Sequence, residues 1–390
     1  MYNTAMFWRL RYSIKSLYRY IFTHRDHIST LVTIDIFSDA LIYNLNQFRK
    51  ITPHKNVVPT LKSNAYGHGI SLIARELEHK NIPFFVVDSY FEAKMLRSDG
   101  IETPILIIGF SSLEMIVKNK IKDISFTITN LDSLKELSEA INKKIKIHLK
   151  IDTGMHRQGL LLSEVDQAFN IIRNNSNIIL EGICSHFADS DGTNDDFTLS
   201  QIKTWNDLVE KTKKIFPEIK YIHISNTYGH RYSDKINANT SRLGIGLYGL
   251  ANIDGLDLKP VLEMKTIISG IKNIKKGDTV GYNNTFTAPN DMTIATIPLG
   301  YYEGLDRRLS NKGYVKVNGK FCKIVGRVSM NITTIDITEI KNIKIGDPVQ
   351  VISNIPSDKN SIHSISEISD TIPYEAIISL PERLRRVVIR

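Results

Sequence analysis

Lys62 stands at the end of a strand-like run in PTLKSNAYGHG (residues 59–69), just before a turn containing two glycines. A lysine at such a place, partly desolvated and close to other cations, can lose its proton and form a Schiff base with an aldehyde. The bland alternative is a packing lysine with its head in solvent, and the rest of the chain has to decide between them. Tyr66, in the turn, can reach a phosphate; His68 reads as a turn or packing histidine without a role. Arg157, His186, Asn226 and Arg242 also fall at or just past strand-like runs, Arg242 the least clearly of them. A guanidinium such as that of Arg157 suits a carboxylate, which it grips with two parallel donors.

These residues must be positioned by regular elements. Strand-like runs cover residues 56–61, 83–88, 104–110, 124–130, 144–152, 178–187, 221–225 and 242–249. Amphipathic helical stretches lie between most of them, as over 71–80, 131–141 and 198–216. Eight strands alternating with helices predict an α/β fold, a (β/α)8 TIM-like barrel, whose catalytic groups lie at the C-terminal strand ends. A doubly wound open sheet is the alternative, but no G-x-G-x-x-G follows the first strand. Past residue 255 helical periodicity fades and turn signals multiply, with Asn318-Gly319 suited to a type I′ hairpin. The expected organisation is a basic N-terminal extension over 1–30, the barrel over 31–255 and a mostly β C-terminal domain over 256–390.

Composition narrows the class. Hydrophobic residues make up 42% and charged residues 23% of the 390, as in an ordinary soluble globular protein. No apolar run is long enough to span a bilayer. Cys184 and Cys322 are far apart and match no metal spacing, so a reducing, cytoplasmic compartment is expected. Of the net charge of +9, Arg9, Arg11, Lys15, Arg19 and Arg25 bring five within an acid-free stretch. That stretch reads as a short basic amphipathic helix, able to touch a membrane surface or to act as a transit peptide, or else as an extension with no role. No aromatic RNA-binding signature accompanies the charge, and no nucleic-acid partner is expected.

KSNAYGHG resembles the pyridoxal-phosphate attachment motif of bacterial alanine racemases. The resemblance recurs in order through VTIDIFSDALIYNL, KIDTGMHRQG, SHFADSD, HISNT, RLGIGLYG, LKPVLEMKT, VGYNNTFTA, PLGYYEGLDRRLSN, GRVSMN and TIPYEAI, covering roughly residues 31–390. It implies interconversion of L- and D-alanine by two bases on opposite faces of pyridoxal 5′-phosphate, supplying D-alanine for peptidoglycan. Lys62 would hold the cofactor and act as one base, and Tyr282 would be the other. His186 would hydrogen-bond that tyrosine. Arg242 would face the pyridine nitrogen; always protonated, it can donate to that nitrogen but cannot protonate it, which restrains side reactions such as transamination. Tyr66, Asn226, Thr227 (in place of the usual serine), Gly244, Ile245 and Tyr301 would complete the cofactor site. Arg157 and Met330 would contact substrate, and Lys150 matches a lysine that is carbamylated in many members.

The resemblance also implies a head-to-tail homodimer in which Tyr282 and Met330 reach into the partner's barrel. Three positions depart from the pattern: Asn331 and Glu303 stand where aspartates are common, and Phe286 where a tyrosine is. They leave both bases in place but open serine or broad-specificity racemisation as an alternative. An amino-acid decarboxylase on the same barrel is disfavoured by Arg242 and Tyr282. A non-catalytic cofactor-binding barrel is disfavoured by the 135 residues that follow.

Overall fold

The computed structural model describes residues 30–52, 56–192 and 194–390. The expected amphipathic helix near the N-terminus lies outside the described residues. In chain order, β1 (Thr33–Phe37) and α1 (Ser38–Ile51) precede β2 (Asn56–Pro59). Then follow α2 (Ile70–Leu77), β3 (Phe85–Val87), α3 (Tyr90–Ser98), β4 (Ile105–Ile107), α4 (Leu113–Val117), β5 (Ile124–Ile128), α5 (Leu131–Ala140), β6 (Ile145–Lys150), α6 (Val165–Arg173), β7 (Ile178–Cys184), α7 (Asp196–Ile215), β8 (Tyr221–His223) and β9 (Thr240–Leu243).

Strands β3 to β8 pair in parallel, each with the next, and β2 pairs in parallel with β9. A bridge between Thr60 and Val86 joins β2 to β3. The amides of Asn239 and Arg242 donate to the carbonyls of Ile222 and Ser225, which joins β8 to β9. Eight parallel strands therefore close into the expected barrel. β3, β4 and β5 are buried on both faces, as strands sheathed by helices must be. Val58, Phe84, Val86, Leu106 and Tyr221 form one apolar cluster. The helices bury their apolar stripes in the main core, α7 through Ile202, Trp205, Leu208 and Val209.

The second region comprises β10 (Leu262–Ile267), β11 (Gly270–Ile274), β12 (Thr279–Val280), β13 (Phe286–Thr287), β14 (Met292–Ile297), β15 (Tyr314–Val317), β16 (Lys320–Lys323), β17 (Thr333–Asp336), β18 (Pro348–Ile352), α8 (Ile362–Ile368), α9 (Pro373–Ile378) and β19 (Arg385–Ile389). Its main sheet runs β16-β15-β18-β10-β1-β19, beside a three-stranded sheet β11-β14-β17 and a ribbon β12-β13. The expected hairpin forms across Asn318-Gly319, with Val317 opposite Lys320. One element departs from the expected grouping of residues 31–255. β1 lies in the second sheet, antiparallel to β10 and parallel to β19. Its alternating burial pattern requires one covered face but does not say which sheet supplies it.

Candidate active site

At the C-terminal ends of the barrel strands lies a cavity of about 830 Å³ including its open mouth. Ten of the residues singled out from the sequence line it: Lys62, Tyr66, Lys150, Arg157, His186, Asn226, Thr227, Arg242, Gly244 and Ile245. Four of these are lysine or arginine, and among the described residues no aspartate or glutamate lines the cavity. Such a site attracts anions.

Lys62 leaves β2 into an unusual turn. Ser63, Asn64, Ala65 and Tyr66 all have φ between 51° and 56°, one turn of left-handed helix made without glycine. That conformation costs each L-residue roughly 1–2 kcal/mol, so its surroundings must hold it. The Glu92 carboxylate accepts from the Ser63 amide at 2.6 Å and from the amides of Asp88 and Ser89. Asn64 Oδ1 accepts from the Ile70 amide at 2.9 Å. His68 Nδ1 lies 3.0 Å and 2.9 Å from the carbonyls of Ala65 and Tyr66, so that nitrogen carries the proton and donates to both. The residue left without a role in the sequence thus buckles the turn that carries Lys62.

Gly67 ends the turn at φ 80°, and a Cβ there would lie 2.4 Å from the Ile377 carbonyl oxygen. This contact packs α9 against the turn and brings its Tyr374 into the cavity wall, 6.0 Å from Tyr66 between ring centroids. Tyr66 is buried and its hydroxyl is pushed up to about 12, burial outweighing the nearby Arg242 charge. The Tyr66 hydroxyl approaches Gly244 so closely that a Cβ there would stand 2.7 Å from it. Thr227 Oγ1 accepts from the amides of Gly244 and Gly246 at 3.1 Å and 3.2 Å. Tyr66, Tyr374, Asn226, Thr227, Gly244 and Ile245 together make a cup of hydroxyls, amides and a carboxamide.

Arg242 is the penultimate residue of β9 and is buried. Its Nη2 donates to the carbonyls of Ser185 at 2.8 Å and Ile224 at 2.9 Å, and to Nδ1 of His186 at 3.0 Å. Its Nη1 donates to the His223 carbonyl and to Nδ1 of His223. None of these partners is a carboxylate. Burial, reinforced by the charges of Arg242, Arg157, Lys150 and Lys62, holds His186 well below the ordinary histidine range. His186 is therefore neutral, accepts through Nδ1 and keeps its proton on Nε2. Lys150, at the end of β6, is depressed by burial and by Arg242, Arg157 and Lys62, with Cys184 opposing; its Nζ lies 3.3 Å from the Gln158 carboxamide oxygen.

Three expected residues are not brought to this cavity within the chain. Tyr282 is 67% exposed, Met330 55% and Tyr301 43%. Tyr301, expected in the cofactor site, lies outside the cavity of its own chain, and Tyr374 lines that cavity. The backbone explains the placement. The amides of Tyr301 and Tyr302 donate to the carbonyls of Ser329 and Met330, which pins this segment to the second domain beside Met330. Nor does His186 bond Tyr282 within the chain. Tyr374 sits in the recognised block TIPYEAI without having been given a role, and that block was the signal for it. Two of the departures meet: Asn331 Nδ2 donates to Glu303 Oε1 at 2.9 Å, and Glu303 also accepts from the Gly300 amide.

Among the described residues no helix is long and apolar enough to cross a membrane. The alanine racemase N-terminal domain family matches residues 36–252, and the alanine racemase C-terminal domain family matches residues 261–388. Alanine racemase 2 of Caldanaerobacter subterraneus is 34% identical over 372 residues, covering 91% of this chain and 94% of that relative. Alanine racemase of Borreliella burgdorferi is 36% identical over 371 residues, covering 91% and 96%. Among solved structures, alanine racemase of Clostridium difficile 630 superposes with a TM-score of 0.85 at 28% identity over 93% of this chain and 96% of that one. Alanine racemase of Bacillus anthracis, solved with bound L-Ala-P, gives the same score, identity and coverage. By both domains and by relatives matched over nearly its whole length, the chain belongs to the alanine racemase family.

Proposed function

We propose that this protein is an alanine racemase that interconverts L- and D-alanine with pyridoxal 5′-phosphate held on Lys62. One observation carries the reading: Lys62, Lys150, Arg157 and Arg242 converge on a cavity without a carboxylate, and Arg242 is buried there without an acidic partner. The residues fit the cofactor. The hydroxyls of Tyr66, Tyr374 and Thr227 and the amides of Gly244 and Ile245 form a cup suited to a phosphate, and Lys62 supplies the amine for the aldehyde. When bound, the cofactor withdraws electrons from the α-carbon and so makes its proton removable.

Arg157 grips the substrate carboxylate and fixes which face of the α-carbon each base meets. The Lys62 amine removes or returns the proton on one face. The partner subunit's Tyr282 does so on the other, in a head-to-tail homodimer that also brings Met330 and Tyr301 to the cavity mouth. Their exposure in the single chain supports that assembly. A tyrosine needs help to act as a base near neutral pH. The Nε2–H of neutral His186, backed by Arg242, supplies a donor that stabilises the phenolate. Carbamylation of Lys150 would remove one of four crowded positive charges and give Arg157 an anionic anchor.

A cytoplasmic location fits the free, buried cysteines, which would stay reduced there. Purified protein should show a visible band that borohydride abolishes, and should racemise L-alanine by polarimetry. A bound cofactor with no racemisation of alanine would sink this assignment.

A further inference from the structure

From the cavity floor downward, the barrel interior holds a line of polar side chains of which the proposed reaction uses only Arg242. Arg242 Nη1 donates to Nδ1 of His223. His223 Nε2 lies 2.8 Å from His148 Nδ1. His148 Nε2 lies 3.6 Å from Glu181 Oε2, which accepts from Ser125 Oγ at 2.5 Å. Lys146 Nζ stands 3.6 Å from the other carboxylate oxygen. This makes Glu181 the first carboxylate reached from Arg242 along the line, two imidazoles away.

The backbone is built for this line. Pairing of β6 with β7 slips between Ile147 and His148: Leu180 faces Ile147, Gly182 faces His148, and Glu181 is the extra residue of a bulge. A bulge re-aims a side chain that a regular strand would point elsewhere. Gly182 leaves room for the ring, since a Cβ there would lie 2.8 Å from two His148 ring atoms and 2.6 Å from the Tyr221 carbonyl. Phe84 and Tyr221 flank His148, each 5.8 Å away between ring centroids.

The protons along the line have one consistent arrangement. Burial lowers His148 and His223, and Arg242 adds to the effect at both, so both rings are neutral. Burial would raise Glu181, but His148, Ser125 and Lys146 more than offset it and hold the group down at about 2, so it is ionised. A neutral imidazole has one donor and one acceptor, and an arginine only donates. His223 must therefore accept at Nδ1 and donate from Nε2. His148 in turn accepts at Nδ1 and directs its Nε2–H at the carboxylate. Read from either end, the tautomers agree.

We propose that Glu181 is a positioning residue for Arg242: through His148 and His223 it anchors the orientation of the guanidinium at the cavity floor. The proposal rests on the assigned racemase function only in that Arg242 there faces the cofactor ring. A carboxylate bonded directly to Arg242 would cancel much of its field in the cavity. Set two imidazoles away, it orients the cation and leaves that field directed upward.

The test is Glu181→Gln, nearly isosteric but able to donate as well as accept. Histidine ¹⁵N NMR of the wild-type dimer should show both His148 and His223 protonated on Nε2. In E181Q the Nε2–H resonances of His148 and His223 should both move upfield as the charge that polarises the line is lost, while Arg242 keeps the tautomers. Loss of a charge-assisted contact should lower kcat for alanine about tenfold, with KM held within about twofold. Unmoved resonances overturn the proposal, whether or not kcat falls, because a structural defect elsewhere would spare them. If E181Q does not fold, His148→Asn cuts the same line while leaving Glu181 with Ser125 and Lys146. Its kcat should fall as far with KM held, and a kcat within about twofold of the wild type overturns the idea. A wild-type protein that fails to racemise alanine overturns the functional assignment instead, and the resonance readout still decides the relay.

Discussion

Acidification should attack the protein at His68 before it reaches the reaction chemistry. The ring is fully buried and is lowered from 6.5 to about 4. Burial is the main cause and Arg386 adds to it, against the two carbonyl bonds that favour the charged form. Between those two values the unfolded chain binds a proton at this site and the folded chain does not. Stability therefore falls as pH drops, beginning near 6.5 and levelling off below about 4, for a total of ~3 kcal/mol. His68→Asn separates this effect from the rest. Its carboxamide NH₂ can still donate to the Ala65 and Tyr66 carbonyls, but it does not titrate. It also loses the ring stacked 4.4 Å from Tyr248, which should cost ~2 kcal/mol at pH 8. Urea unfolding at fixed protein concentration, at pH 8 and pH 5, measures both. The wild type should lead at pH 8, and most of that lead should vanish by pH 5. His148, His186 and His223 titrate in both proteins, so the difference isolates His68. Parallel acid losses in the two proteins would refute the assignment.

Two further outcomes follow from the packing and from the exposure of Tyr282. Gly67→Ala places a Cβ against the Ile377 carbonyl at φ 80°, so it should cost roughly 2–4 kcal/mol in urea unfolding. Because α9 carries Tyr374, the same change should weaken phosphate binding, read as faster loss of the visible band on dialysis. Lys62→Ala and Tyr282→Phe should each be inactive or nearly so as homodimers. Mixed and reassembled, they should regain activity, because half of the sites in a mixed dimer pair an intact Lys62 with an intact Tyr282. No regain on mixing would count against a shared site.

Much of the barrel half was legible because its chemistry follows strand ends. Lys62, Arg157, His186, Asn226 and Arg242 could be placed by finding apolar runs and reading the residues at or just beyond them. The eight strands themselves are shorter than the runs, as with residues 83–88 against Phe85–Val87. What stayed hidden depends on contacts distant in sequence. The left-handed backbone of Ser63–Tyr66 needs the distant Glu92 as well as the local Asn64 and His68. Tyr374 enters the cavity only because α9 docks on Gly67, some three hundred residues earlier. His223 and Glu181 read as ordinary strand residues until the bulge in β7 turns one toward the other's neighbour. The pairing of Asn331 with Glu303 shows the same limit. Two departures that looked independent in sequence are one hydrogen-bonded unit in space.

The placement of β1 has a consequence for how the chain is made. Thr33–Phe37 is the first described strand, yet it lies between β10 and β19, and β19 spans Arg385–Ile389. A chain growing from its N-terminus exposes that strand long before either neighbour exists. During synthesis the barrel can assemble behind it, but the second sheet can close only when Arg385–Ile389 emerge. Until then, Thr33–Phe37 is a strand with two open edges, the kind of surface that recruits other chains. Excising residues 31–255 would make that transient condition permanent. A soluble barrel fragment would have to begin after Phe37, and the second domain could not be made from one continuous piece.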